Sequence, residues 1–368
     1  MAKIIRVKNL IEEPPKLYVS SGNVLLNCAL SGKADGGWGA GKMVNIIGDS
    51  SAGKTVVALT AFAEICRDPR FDHYDLIFDD VEESLEFDIE RMFNKKMAKR
   101  IKYRSSETIE DYYGGMVSQI NTGNPFAWIL DSFDALTSRE EQKRAAEFAK
   151  QEEKRLKGLC EPELPVEDKE SKKGKKEKGS YKTEKPKTAS EIFRVTTSGI
   201  KKTESFSFVI SQTRDNIGFG AMFAPRTRSG GRALKFYATH ELWLSVGEKH
   251  EKAGLTIGSD CMVKVSKNKL TGKKRSVYFP IYEEYGVDSI ESGITYLLDQ
   301  KHWEMKPRTK TEKAGINTPD FGIPRMKIDE MVHYIEDNNL EPELNSIIQA
   351  VWDETEEKAK LNRKPKYG

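Results

Sequence analysis

The chain has 368 residues, of which 38% are apolar and 32% are charged. This length exceeds one ordinary domain, and no window holds the ~18 uncharged apolar residues that a membrane helix needs. The N-terminus has no apolar signal-peptide segment, so we expect a soluble, cytoplasmic protein. Four scattered cysteines argue against a disulfide framework and a structural zinc site. A net charge of +3 does not by itself indicate a nucleic-acid partner.

Short apolar runs alternate with helix-length stretches in the first 140 residues. The runs cover residues 43–47, 75–80 and 127–131, and an apolar helical segment follows the first of them at 55–68. This alternation predicts an α/β fold with a mostly parallel sheet covered by helices.

A charged stretch interrupts the pattern. Residues 139–158 are typical of a mixed-charge helix, and residues 169–187 contain nine Lys, three Glu and no aliphatic side chain. Such a tract cannot bury enough surface to offset its ordering entropy, so we predict a lysine-rich, disordered insert over 139–181. A solvated linker and a basic arm that contacts nucleic acid are both compatible with this composition.

Strand-like runs return beyond the insert, at 205–212, 238–246, 260–270 and 275–284. A TGKK turn separates the last two, which predicts a hairpin. From about Gly286 the pattern changes, and amphipathic helical runs occupy 326–339 and 344–360. These runs predict a small C-terminal domain.

One motif carries recognisable chemistry. The sequence G-x-x-x-x-G-K-[ST] is present as Gly48, Asp49, Ser50, Ser51, Ala52, Gly53, Lys54 and Thr55, and Val56 continues into the predicted helix. In such a loop the backbone amides face a β-phosphate, the lysine meets the β- and γ-phosphates, and the hydroxyl binds Mg²⁺. The motif therefore predicts a nucleoside triphosphate site.

Carboxylates follow two of the predicted strands. Asp131 ends the run at 127–131 and is the expected Mg²⁺ partner, with Asp134 as the alternative beyond the strand. Hydrolysis also needs a base or a carboxylate that orients water, and the end of the other strand offers several. The candidates are Asp79, Asp80, Glu82 and Glu83, among which spacing does not choose.

From about Ser20 to Tyr285, apart from the insert, the chain resembles the RecA recombinases. GDSSAGKT, FDDVEESL and LDSFDALT are similar to the family's ATP-site motifs, and SQTRDNIG with SGGRALKFYATHELWL is its most specific match. VKVSKNKL at 263–270 is similar to the strand that follows. The resemblance implies a RecA-like ATPase core that binds ATP and Mg²⁺.

The resemblance also implies roles for individual residues. Glu82 falls on the catalytic glutamate, and Gln212 on the residue that senses the γ-phosphate and moves the adjoining DNA loop. Lys267 and Lys269 match lysines that reach the neighbouring subunit's ATP, and alternate spacing puts both on one face of a strand. Tyr282 is a possible adenine contact, and a core tyrosine in a hairpin is the alternative.

Further matches concern DNA. The residues that match phosphate contacts or base wedges are Ser190, Arg194, Arg214, Ile217, Gly230, Gly231 and Arg232. The loop over 213–229 adds Arg226 and Arg228 to flexible glycines and aromatic residues, a mixture suited to stacking on bases. Packing of its aromatics on a neighbouring subunit is the alternative.

Some features depart from the family pattern. We expect the family's N-terminal helix to be shortened or absent, with Leu17-Tyr18 or the segment IIRVKNLIEE before it as a candidate polymerisation arm. Ile89 stands where an aromatic residue usually stacks on adenine, and the tail is basic rather than acidic. We interpret these differences as marks of a divergent member, with phage origin as a hypothesis.

These patterns predict a domain organisation and a function. We expect an N-terminal arm (1–20), a RecA-like core (21–285), a small α/β C-terminal domain (286–355) and a basic tail (356–368). The resemblance implies an ATP-dependent recombinase that forms a filament on single-stranded DNA and pairs it with homologous duplex. A helicase or recombination mediator with the same core is the alternative, and a scaffold that barely hydrolyses ATP is the third.

Overall fold

The computed structural model describes residues 17–83, 85, 88–156, 184–215, 226–228, 231–309 and 313–363. One large sheet organises this part of the chain. Its strand order is β12-β11-β10-β9-β3-β7-β6-β4-β5, and β8 pairs with β7 outside that path. The strands are β1 (Tyr18–Val19), β2 (Trp38–Gly39), β3 (Lys42–Gly48), β4 (Asp75–Asp80), β5 (Ile101–Arg104), β6 (Phe126–Asp131), β7 (Phe206–Asp215), β8 (Arg226–Arg228), β9 (His240–Lys252), β10 (Leu255–Asn268), β11 (Ser276–Tyr282), β12 (Gly286–Val287), β13 (Glu304–Lys306) and β14 (Gly315–Asn317).

Helices flank the sheet. They are α1 (Val24–Ser31), α2 (Lys54–Arg67), α3 (Ile89–Met92), α4 (Lys95–Arg100), α5 (Ile109–Asn121), α6 (Arg139–Leu156), α7 (Glu184–Lys202), α8 (Gly231–Tyr237), α9 (Ser289–Asp299), α10 (Ile328–Asp337) and α11 (Glu341–Lys358). The strands from β9 through β3, β7, β6 and β4 to β5 are parallel neighbours, and β9 to β12 continue as antiparallel pairs. The predicted α/β class with a mostly parallel sheet is confirmed.

Successive side chains of the central strands pack into two apolar layers, one on each face of the sheet. This explains why these strands are continuous apolar runs in the sequence. In β6, Ile129 packs into the layer beneath α1 and α2, whereas Trp128 and Leu130 face the layer beneath α5 and α7. In β7, Phe208 packs into the layer beneath α1 and α2, and Val209 into the layer beneath α5 and α7. Burial on both faces leaves the strand ends as the accessible part of the sheet.

The predicted strand runs and the TGKK hairpin are confirmed, although β9 and β10 are longer than predicted. These two strands form a further hairpin that turns at Ala253 and Gly254, both with positive φ. The sequence patterns missed β5, α1 and α9. The strand β5 has only four residues, two of them exposed, so it has no strong apolar period.

The prediction of disorder over 139–181 is wrong for residues 139–156, which form α6. This helix has no buried residue, and local charge stabilises it: Glu140 and Glu141 occupy its first turn, and Lys154 and Arg155 its last. Disorder is also wrong for residues 184–187, which belong to α7. Residues 157–183, with most of the lysine-rich tract, lie outside the described part of the chain.

The C-terminal elements share a core with α1. Ile294 of α9 and Ile348 of α11 belong to the same apolar cluster as Leu26. The edge strand β12 lies just beyond residue 285, so the main sheet crosses the predicted boundary. The division at 285/286 stays a prediction.

The start of the described chain also packs on the core. Tyr18 pairs with Gly39 of β2, and Leu17 packs against the apolar cluster. A polymerisation role for Leu17-Tyr18 stays a prediction, and residues 1–16 lie outside the described ranges. Among the described helices, none combines the length and the apolar character needed to cross a bilayer.

Candidate functional site

The carboxyl ends of the parallel strands bring the predicted ATP-site residues to one edge of the sheet. Gly48 at the end of β3 lies beside Gln212 of β7, and Asp80 of β4 lies beside Asp131 of β6. Parallel strands joined by helical crossovers present their ends and the following loops together, which is where ligands bind in open α/β sheets. The sheet register thus gathers residues that are far apart in the sequence.

The predicted phosphate loop joins β3 to α2. Gly53 precedes α2 with a φ of 80°, and a Cβ at this position would lie 2.5 Å from Cδ1 of Ile281, so the turn requires glycine. The Lys54 side chain is buried, and its Nζ donates to the carbonyl oxygen of Asp49, 2.6 Å away. Burial lowers the pKa of Lys54, and the Asp131 carboxylate opposes that shift.

Thr55 and Asp131 meet directly. The Thr55 hydroxyl donates to Oδ2 of Asp131 at 2.5 Å. Burial raises the pKa of Asp131 to about 6, although the Thr55 hydrogen bond acts in the opposite direction. A hydroxyl and a carboxylate beside a phosphate loop are oxygen ligands of the kind that Mg²⁺ prefers, so this pair fits the metal of a nucleotide complex.

The carboxylates that follow β4 differ in their surroundings. Asp79 is fully buried and accepts from the Ser106 amide and hydroxyl at 2.9 and 2.8 Å. Glu82 is exposed, and its Oε1 accepts from the Ser132 hydroxyl and from Nε2 of Gln212. Spacing left these acids open and the family resemblance pointed to Glu82, which contacts Gln212 near the end of β7.

Two contacts at this edge were missed by sequence reasoning. Ser132 reaches Glu82, and the Thr213 hydroxyl reaches Oδ1 of Asp49 in the phosphate loop. Asp134, the alternative metal residue, accepts from the Gln212 backbone amide at 2.6 Å and therefore fixes the end of β7. No sequence signal marks these pairings, because each joins different strand ends.

A cavity of about 640 Å³ lies beside the phosphate loop. Residues 51–56 line it together with Ile281 and Tyr282 of β11. The Tyr282 hydroxyl donates to Oε2 of Glu291 at 2.7 Å, and burial raises its pKa. Ile89, at the position expected for a stacking aromatic, is buried in the core instead.

The two predicted interface lysines lie away from this cavity. Lys267 and Lys269 both donate to the carbonyl oxygen of Phe236 at the end of α8, at 3.1 and 2.8 Å. Lys269 lies one residue beyond β10, so the prediction that both occupy one strand is wrong in detail. Their ammonium groups nevertheless converge, because helix-terminal carbonyls attract cations.

The predicted DNA residues surround α7 and the stem of the second loop. Ser190 and the exposed Arg194 lie on α7. Residues 213–215 of the predicted loop pair with 226–228 as a two-stranded ribbon, with Arg214 opposite Thr227. Gly231 begins α8. Ile217 and Gly230 lie outside the described residues, as do the side chains of Arg214, Arg226, Arg228 and Arg232.

The fold and the site define a class: α/β proteins with a mostly parallel sheet and a phosphate-binding loop at its carboxyl edge. Comparisons with known proteins identify similar proteins within this class. The family model for the RecA N-terminal domain matches residues 171–288. Three similar proteins are each called Protein RecA. They come from Delftia acidovorans (27% identical over 270 residues), Macrococcus caseolyticus (27% over 298) and Borreliella afzelii (28% over 280).

These matches cover 73%, 77% and 75% of this chain. The chain spans 62%, 70% and 65% of the lengths of those relatives. The family model includes the SQTRDNIG motif and both interface lysines, and the pairwise matches extend well beyond its limits. The chain is thus similar to RecA proteins over about three quarters of its length.

Proposed function

We propose that the chain is an ATP-dependent DNA recombinase. It assembles on single-stranded DNA, hydrolyses ATP to ADP and phosphate between subunits, and pairs the bound strand with homologous duplex. The observation that carries the proposal is the hydrogen bond from Gln212 to Glu82, which links a hydrolytic carboxylate to the strand that continues into the DNA-binding ribbon. The related proteins called RecA support the same activity.

The proposed nucleotide site binds the phosphates of ATP and balances their negative charge. Lys54 meets the phosphates, while Thr55 and Asp131 would hold Mg²⁺, which would neutralise charge on the phosphate oxygens. The cavity beside the loop accommodates the nucleoside, with Tyr282 as a candidate base contact. Glu82 orients and deprotonates the attacking water from the edge of the site.

Gln212 is the coupling element. Its side chain donates to Glu82, and its backbone amide is held by Asp134. A neutral amide can exchange this carboxylate partner for a phosphate oxygen, and the exchange displaces the strand end. Because β7 runs on to pair with β8, that displacement reaches the ribbon that flanks the DNA loop.

Sheet geometry supports a role for the two lysines between subunits. Asn268, between them, pairs with His240, which pairs with Val44, whereas the phosphate loop starts at Gly48. Along β3, Gly48 lies four residues beyond Val44, a distance of about 13 Å. That distance exceeds the reach of a lysine side chain, so the pair serves the nucleotide of a neighbouring subunit and makes hydrolysis depend on assembly.

We assign DNA recognition to the basic residues on α7, on the ribbon and at the start of α8, which bind phosphates. Ile217 and the loop aromatics separate or stack on bases.

Strand exchange by a Lys54→Ala variant tests the proposal. We expect loss of ATP-dependent exchange, with Lys99→Ala as the control because Lys99 is exposed on α4. Intact exchange in Lys54→Ala would refute the site assignment. Imaging on single-stranded DNA with a non-hydrolysable ATP analogue should show a helical filament, whereas closed rings would favour the helicase alternative.

A further inference from the structure

Asn268 lies between the two interface lysines and is itself buried. Its Nδ2 donates to the carbonyl oxygens of Ala29 and Leu30 at 3.2 and 2.9 Å. Its Oδ1 accepts from the amides of Leu270 and Thr271 at 2.9 and 3.1 Å. The side chain therefore uses both its donor and its acceptor on backbone groups.

The two halves of the Asn268 amide act on different segments. Ala29 and Leu30 lie in the last turn of α1, where carbonyls have no partner within the helix, so the donor half attaches the strand end to that helix. The acceptor half forms an Asx turn that bends the chain directly after β10. The backbone on both sides of Asn268 is thus held by one side chain.

The lysines emerge from this fixed backbone. Lys267 precedes Asn268 and Lys269 follows it, and both ammonium groups reach the Phe236 carbonyl while Asn268 points into the protein. Lys269 also lies 5.8 Å from the centre of the Phe236 ring. A one-residue shift of the strand end would separate this pair.

We propose that Asn268 is a positioning residue that holds Lys267 and Lys269 in the register needed to act on the ATP of a neighbouring subunit. The inference rests on the proposed function and adds a residue that touches neither nucleotide nor DNA. Aspartate cannot replace it, because a carboxylate retains the acceptor for the turn but faces the two α1 carbonyls without a donor.

The test uses Asn268→Asp in the full chain. We expect kcat for ATP in the presence of single-stranded DNA to fall about 10- to 100-fold, because small misplacements of catalytic groups cost that much. The KM for ATP should change little, since the subunit's own phosphate loop is intact. Asn27→Asp is the matched control: buried Asn27 also donates to a carbonyl, that of Ala34, and accepts from an amide, that of Ser21.

Mixed assemblies separate positioning from misfolding. Asn268→Asp subunits have an intact phosphate loop, and Lys54→Ala subunits have intact lysines. In a head-to-tail assembly, random 1:1 mixing forms a competent pairing at about one site in four, so turnover should rise well above that of either variant alone. A variant that has merely lost its fold would not gain activity on mixing.

Lys267→Ala mixed with Lys54→Ala tests the lysines themselves. If that mixture regains turnover and the Asn268→Asp mixture does not, the positioning role is overturned while the proposed function stands. Unreduced turnover in Asn268→Asp, or an equal loss in Asn27→Asp, also overturns it. If neither mixture regains turnover, the action of the lysines between subunits is refuted, and the role of Asn268 falls with it.

Discussion

Nε2 of Gln212 donates to Oε1 of Glu82 at 2.9 Å, although the two residues lie 130 positions apart in the chain. Glu82 follows β4 and Gln212 lies in β7, with β6 between those strands. The contact joins the edge of the proposed nucleotide site to the strand that leads into the proposed DNA ribbon.

Removing this amide should uncouple DNA from hydrolysis. We expect Gln212→Ala to bind ATP normally but to lose most of the stimulation of turnover by single-stranded DNA, measured as the ratio of rates with and without DNA. Gln119→Ala is the control, because Nε2 of Gln119 donates to the Asp75 carboxylate at the same 2.9 Å on α5. Undiminished stimulation in Gln212→Ala would contradict the coupling role.

Glu82→Gln should separate binding from chemistry. The amide oxygen can still accept from Ser132 and Gln212, but the side chain can no longer take a proton from water. We expect turnover to fall about 10²- to 10⁴-fold while ATP affinity is retained. Glu83→Gln, at the exposed neighbouring position, should hydrolyse ATP at the normal rate in the same assay.

The Thr55 hydroxyl should be needed for Mg²⁺-dependent nucleotide binding. Thr55→Val removes the donor to Asp131 and leaves a half-buried carboxylate with one hydrogen bond fewer, a loss of about 1–3 kcal/mol. Thr55→Ser keeps the hydroxyl. Calorimetric titration with a non-hydrolysable ATP analogue should show weak binding by Thr55→Val and near-normal binding by Thr55→Ser. Equal affinities would refute the assignment of Thr55 to the metal site.

Glu356 should make stability depend on pH. Its hydrogen bonds and charge pairing with Arg275, and with Lys273, hold the pKa of this carboxyl at about 2, below its ordinary 4.5. A lowered pKa in the folded state means that the stabilisation is complete above pH 4.5 and is lost as the pH falls toward 2.

Glu356→Gln should therefore unfold at lower urea concentrations than the parent protein at pH 7, and the gap should narrow between pH 4.5 and 2. Glu354→Gln is the control, since its partner Lys358 and Glu354 itself are both mostly exposed. A gap for Glu356→Gln that does not change with pH would contradict the role of the ion pair.

A deletion tests the role of the lysine-rich tract. If residues 169–181 contact DNA phosphates, their deletion should weaken DNA binding and flatten its dependence on salt concentration. An unchanged slope of log affinity against log salt would identify the tract as a linker.

Some features of the site follow from local sequence. The phosphate loop requires particular residues at fixed spacing, so Gly53, Lys54 and Thr55 were recognisable, as was Asp131 at the end of an apolar strand. The α/β alternation was equally readable, because buried parallel strands are apolar throughout. The charge spacing of residues 139–158 predicted a helix, whereas the composition of the whole insert predicted disorder. The structure has a helix over residues 139–156.

Pairings between distant segments required the tertiary structure. Sequence spacing did not choose among Asp79, Asp80, Glu82 and Glu83, because the choice depends on which strand lies beside β4. The hydrogen bonds of Asn268 were equally invisible, since its partners on α1 lie more than two hundred residues away. Composition and motif spacing thus determined the phosphate chemistry and the class of fold, whereas sheet register decided which charged groups share an edge, because neighbouring strands come from distant parts of the chain.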